Sequence, residues 1–218
     1  MLAVLGLPIV ISITFHEAAR GYAAWALGDD TPEFEGRLTF NPLSHIDPWG
    51  TLMLPAVLLL TLGTAFGYAQ PVPVDAKKFQ NPKRDMTLLA AAGPMTNVTL
   101  AILIALLLAA TRGVTQDYPL WQATLHASIA INFVLAIVNL IPLPPLDASK
   151  AIGAMLPRAL SETYSRAEPY GYPIIVFVFL VVPFASSRLG LSIDIAGPVL
   201  IRPAYTLADG LLHLFGAA

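Results

Sequence analysis

The 218-residue chain contains no cysteine, which excludes disulfides and thiolate metal sites and removes any clue to redox compartment. Charge is scarce as well. Asp, Glu, Lys and Arg make up 12% of the residues, against about a quarter in a soluble domain. Neither sign dominates: 12 basic against 14 acidic residues leave a formal net charge of −2, so no nucleic-acid partner is expected. Hydrophobic residues account for 56% of the chain, and mean hydropathy is +0.68. This composition excludes a soluble globular enzyme and makes the lipid bilayer the expected solvent.

The gaps between charges carry the main structural signal. No Asp, Glu, Lys, Arg or His occurs in residues 1–15, 48–74 or 86–111. Residues 118–146 hold only His126, and residues 169–187 hold none. A spanning helix needs about 20 mainly apolar residues, which 86–111 and 118–146 exceed. The 48–74 run carries Pro55, Gly63 and Gly67, so a kinked or partly re-entrant segment is expected there. Residues 193–218 are apolar but punctuated by Pro198, Arg202, Pro203 and Asp209, and read as one helix or an interfacial segment.

A signal peptide wants a basic start and a small-residue cleavage site. Residues 1–15 have no Lys or Arg, and the apolar pattern resumes after Arg20. One helix over 2–27 is therefore expected, with Gly28 as its C-terminal cap. It carries His16, Glu17 and Arg20 into the membrane. Ionisable groups there cost about 2.5–3.5 kcal/mol each on insertion scales, so three within five residues call for an explanation. The polar stretch 29–48 includes an alternating segment at 36–40, which predicts a strand or hairpin beside the membrane. The loop 70–85 holds Lys77, Lys78, Lys83 and Arg84 and leans cytoplasmic. Altogether the pattern predicts an all-α polytopic protein with five or six membrane-embedded segments and a small juxtamembrane β element. It reads as a single integral membrane domain over residues 1–218, without a soluble domain.

His16-Glu17-Ala18-Ala19-Arg20 is one residue short of His-Glu-x-x-His. In that motif two histidines four apart share a helix face and grip zinc, while the glutamate activates the zinc-bound water. Here the second ligand position holds Arg20, which has no lone pair to give a metal. Far downstream, the helix-length run ends at Asn139-Leu140-Ile141-Pro142-Leu143-Pro144-Pro145-Leu146-Asp147. An acid directly after such a break is placed to turn into a polar interior, and aspartate is a suitable zinc ligand.

Together these residues resemble the site-2 protease family of intramembrane zinc metalloproteases. The resemblance extends through Leu27-Gly28-Asp29, Gly36-Arg37-Leu38-Thr39-Phe40-Asn41-Pro42-Leu43, His45-Ile46-Asp47-Pro48, Gly50-Thr51, Pro71-Val72-Pro73-Val74 and Ala92-Gly93-Pro94-Met95-Thr96-Asn97. It fits the compact, mainly bacterial branch without PDZ or CBS domains. The resemblance implies zinc ligands at His16, position 20 and Asp147, with Glu17 as general base. It implies a substrate or oxyanion contact from Asn139, and Asn97 lining the same interior. It further implies a bacterial inner (cytoplasmic) membrane and transmembrane helices as substrates or partners. The departures fall at the site: Arg20 replaces a histidine, and Ala148-Ser149 follow Asp147 where the family has Gly and another small residue.

Blander readings stand beside these. His16, Glu17 and Arg20 form a buried ion cluster without catalysis, or Asp147 is simply a helix cap. His45 reads as a structural hydrogen-bonder, and neither His126 nor His213 has ligand spacing. Small residues 90–93 read as helix packing. Two functions are left. One is a pseudoprotease with zinc absent or weakly bound, which binds transmembrane segments or serves as a subunit of a membrane complex. The other is an active zinc protease of transmembrane substrates. A transporter is a weaker third reading.

Overall fold

The computed structural model describes residues 2–64, 66–115 and 117–217. The first helix, α1, spans Leu2–Ala26. It ends as expected: Gly28 adopts φ +103°, and the Asp29 N–H donates back to Ala24 O at 2.9 Å. That left-handed turn costs glycine little and ends a helix cleanly. A single turn, α2 (Thr31–Phe34), follows.

Asn41 then opens a 3-10 turn at Pro42–His45 by accepting from the Leu43 N–H. Asp47 caps a π-helical turn, Pro48–Met53, through the N–H groups of Trp49 and Gly50. This turn runs into α3 (Leu54–Leu62), which stops at Gly63 with φ +71°. The uncharged run at 48–74 is thus a short apolar helix followed by irregular chain.

Two long uncharged runs become α4 (Pro82–Thr115) and α5 (Pro119–Asn139). Pro142, Pro144 and Pro145 prevent α5 from continuing, since proline lacks the N–H a helix interior needs. The chain resumes as α6 (Asp147–Met155) and α7 (Arg158–Ser165). Then α8 (Glu168–Val176), a π-helical turn at Phe177–Val181 and α9 (Val182–Arg188) make one apolar rod. The 193–218 tail holds a π-helical turn, Gly197–Ile201, and α10 (Arg202–Leu214).

Three helical segments are long and apolar enough to cross a bilayer: Pro82–Val114, Pro119–Asn139 and Glu168–Arg188. The architecture is that of an all-helical integral membrane protein. Ala101 and Ala105 of α4 meet Leu125 and Ile129 of α5 and Ala204, Ala208 and Leu212 of α10 in one buried cluster. Without water to drive helices together, small residues at the seam let backbones approach and gain dispersion contacts. The 25-residue α1 packs against both α4 and α5, which brings its polar residues to the centre of the bundle.

The expected β element does not form: there is no strand among the described residues. Gly36 turns the chain at φ +65°. Next, the Tyr22 hydroxyl donates to Leu38 O at 3.1 Å, and His45 Nε2 donates to Thr39 O at 3.0 Å. Side chains therefore take carbonyls that a neighbouring strand would need. The alternation at 36–40 has a different cause. Phe40 packs against the rings of Phe15 and Tyr22, so the apolar positions mark docking onto α1.

Candidate functional site

The site is assembled by α1, α4, α5 and the start of α6. His16, Glu17 and Arg20 share one face of α1, as residues three and four apart do on a helix. Asp147 begins α6 immediately after the proline break. All four are buried, with Arg20 3% and Asp147 2% exposed. Arg20 Nη1 donates to Glu17 Oε2 at 3.1 Å. Arg20 Nε lies 3.1 Å from Asp147 Oδ1, an ion pair without hydrogen-bond alignment. His16 Nε2 lies 3.0 Å from the other oxygen, Oδ2, of the same carboxylate. Asp147 is therefore not a helix cap: its carboxylate faces α1, and no side chain caps α6.

The back of the site is a row of amides. His16 Nδ1 is 2.6 Å from Asn97 Oδ1 on α4, and Asn97 Nδ2 donates to Asn132 Oδ1 on α5 at 2.9 Å. Gly93, one turn before Asn97, makes room for the imidazole: a Cβ built there would collide with the His16 ring. The small residues at 90–93 thus have a second task besides packing, because one of them seats the histidine.

The front is closed by the Pro71-Val72-Pro73-Val74 segment. The Val72 N–H donates to Glu17 Oε2 at 3.1 Å. That segment is tied down on both sides. Thr51 Oγ1 donates to Tyr68 O at 2.8 Å, and the Asp75 N–H donates to Asp29 Oδ2 at 2.7 Å. The Gly-Thr and Leu-Gly-Asp motifs therefore serve the site by holding this segment. Tyr172 of α8 stacks flat on Tyr68, with ring centroids 4.0 Å apart and 1° between planes. A cavity of about 530 Å3 adjoins this wall, lined by Val72, Leu89, Pro144, Ser149 and Lys150 among others. Lys150 lies on α6, outside the three candidate spans. Burial, reinforced by Arg20, lowers its pKa to about 8.

Of the residues singled out in the sequence, His16, Glu17, Arg20, Asp147 and Asn97 come together. Asn139 does not join them; its Nδ2 donates to Leu135 O on its own helix at 2.9 Å. His45 is a buried hydrogen-bonder in the loop, while His126 and His213 are exposed on α5 and α10. Gly93 and Val72 lie in motifs quoted from the sequence but had no role assigned at the site, and Asn132 and Lys150 were not singled out. Asn132, an uncharged polar residue in mid-span and 1% exposed, offered the clearest signal.

These residues do not fit a catalytic zinc ion. Such an ion takes three protein ligands and one open position. His16 and Asp147 converge as two donors, but the third position presents a guanidinium, with no lone pair to offer. Among the described residues no three imidazole or carboxylate groups are arranged to hold a metal. What the cluster does do is compensate charge: one guanidinium faces two carboxylates in a water-poor interior, where like charges alone would repel strongly.

An all-helical membrane core with an acid–imidazole–guanidinium cluster between α1 and α6 defines a class, and comparison with known proteins gives it a family. Over 194 residues the chain is 36% identical to "Putative zinc metalloprotease YwhC" of Bacillus subtilis, spanning 84% of this chain and 82% of that protein. It is 29% identical over 184 residues to "Putative zinc metalloprotease Rip2" of Mycolicibacterium smegmatis, spanning 80% and 65%. Against the protein of that name in Mycobacterium tuberculosis it is 30% identical over 175 residues, spanning 78% and 64%. No family model and no solved structure matches. The chain belongs to the family of YwhC, the site-2 protease-like zinc metalloproteases of membranes.

Proposed function

We propose that this chain is a pseudoprotease of the bacterial cytoplasmic membrane. It keeps the family fold and binds transmembrane segments, or serves as a subunit of a membrane complex, without hydrolysing peptides. One observation carries this reading: the Arg20 guanidinium contacts both Glu17 and Asp147, at 3.1 Å each. Glu17, the general base of an active family member, is here the acceptor for Arg20 and for the Val72 N–H. Its Oε2 is committed to structure. With two donors and a fixed cation, the site lacks the ligand set that would activate water.

Metal analysis of the purified protein tests this directly. Substoichiometric zinc and no cleavage of a reporter transmembrane substrate are expected. Equimolar zinc, lost on Asp147→Ala, would overturn the reading in favour of an active intramembrane zinc protease. That second reading draws support from the names of the relatives and from the convergence of His16 Nε2 on Asp147 Oδ2.

A further inference from the structure

The hydrogen bonds behind the site have a direction, and it is set from far away. On α5, Asn132 Nδ2 lies 2.9 Å from the backbone carbonyl of Ser128. A carbonyl can only accept, so this contact fixes which end of the Asn132 amide is the NH2 group and turns Oδ1 toward α4. There Asn132 Oδ1 accepts from Asn97 Nδ2 at 2.9 Å. The same Asn97 Nδ2 also lies 3.4 Å from the Ser12 carbonyl, a second pure acceptor. The Asn97 amide is therefore oriented twice over, with Oδ1 facing His16. An amide oxygen also only accepts, so His16 Nδ1 carries the hydrogen of the 2.6 Å bond. Nε2 is the nitrogen left to face Asp147.

Asn97 and Asn132 are fully buried, at 0% and 1% exposure. Neither amide is open to solvent, and turning either one would set NH2 against NH2 or oxygen against oxygen. Such a conflict leaves buried polar groups unsatisfied, which disfavours both turned forms.

We infer that Asn132 is a positioning residue for His16. Acting through Asn97, it fixes the imidazole with Nδ1 as donor and Nε2 turned into the site. The relay runs from the Ser128 carbonyl through Asn132 and Asn97 to the ring, and Asn132 itself does not touch the site. The assignment does not depend on whether the chain hydrolyses peptides. It accounts for a fully buried asparagine at the α4–α5 seam, where apolar and small side chains otherwise pack.

The test is nitrogen-15 NMR of the full chain in detergent micelles, labelled at its four histidines. The His16 signals are assigned by their loss in His16→Gln. The parent protein should show a hydrogen-bonded proton coupled to His16 Nδ1. Asn132→Leu should abolish that resonance or split it between two ring forms, because only the long 3.4 Å contact to the Ser12 carbonyl then holds the Asn97 amide. Asn132→Asp in its protonated form, with its O–H donating to the Ser128 carbonyl and its other oxygen accepting from Asn97 Nδ2, should retain it. An unchanged His16 Nδ1 proton in folded Asn132→Leu would overturn the proposal.

If the leucine variant does not fold, Asn132→Thr withdraws the amide at smaller volume, and the same two outcomes decide. A second readout uses the Arg20→His background. There Asn132→Leu should weaken zinc binding by roughly ten- to a hundredfold, as loss of a partner that orients a metal-binding histidine does. Failure of the pseudoprotease reading would appear as zinc in the parent protein and would leave the NMR result untouched.

Discussion

Arg20 Nε and Asp147 Oδ1 lie 3.1 Å apart and tie the first helix of the chain to the first residue beyond its proline break. The two elements are joined a second time by His16, whose Nε2 lies 3.0 Å from the other oxygen of the same carboxylate. Glu17, on the same helix as Arg20, completes a triangle in which one cation answers two acids.

Removing that cation should be costly. Arg20→Ala would leave two buried carboxylates without their guanidinium, and breaking a buried pair from one side costs about 3–5 kcal/mol. For a chain of this size that corresponds to a fall of roughly 10 °C in the unfolding midpoint. A thermal melt in detergent checks this; an unchanged midpoint would remove the cluster from the list of things holding the fold together.

Arg20→His should create what the parent lacks. The new imidazole would sit one turn from His16 on the same face, with Asp147 already opposite. Close to one zinc per chain is expected after purification and dialysis, measured by elemental analysis. Proteolysis need not follow at once, because Ala148 adds a methyl group beside Asp147.

Gly93→Ala should disturb His16 directly. The added methyl would collide with the imidazole, and overpacking of this kind costs about 1–3 kcal/mol. Gly210→Ala is the control. That glycine lies in α10 with nothing within 4 Å of an added Cβ, so alanine should stabilise by up to about 1 kcal/mol. Paired melts of the two variants separate the seat of a histidine from ordinary helix propensity.

Lys150 supplies a pH dependence. Its pKa is lowered to about 8, first by burial and then by Arg20, against about 10.4 in an unfolded chain. A base that holds its proton less tightly when folded penalises the folded state below pH 8. The penalty is relieved as pH rises from 8 toward the unfolded value, so stability should increase across that window. Lys150→Met should flatten the profile. In a titration of carbon-13-methylated lysines, one resonance should move near pH 8, and it should be the one that Lys150→Met removes.

The long helices were legible because uncharged stretches longer than a bilayer is thick have few other outcomes. Gly28 was legible as a stop, since only a left-handed turn there lets Asp29 reach back to Ala24. His16, Glu17, Arg20 and Asp147 were legible as a set because the motif grammar names their positions. Asn132 was not: it resembles Asn139 in sequence, yet one faces Asn97 across a helix seam while the other bonds its own backbone. Spacing along one helix does not say which neighbour a polar residue meets. The segment 36–40 misled for a related reason. Alternation reports that one side is covered, and here the cover is the rings of Phe15 and Tyr22 rather than a second strand.

The spacing of Glu17 and Arg20 bears on how the chain is made. During synthesis α1 emerges long before Asp147 exists to receive the guanidinium. Because Glu17 lies one helical turn from Arg20, the helix carries its own counterion from the moment it forms. Asp147 arrives only after α4 and α5 have been threaded. Its contacts with α1 can therefore form only after the intervening segments have been made, so the last member of the site to be synthesised completes the charge balance of the first three.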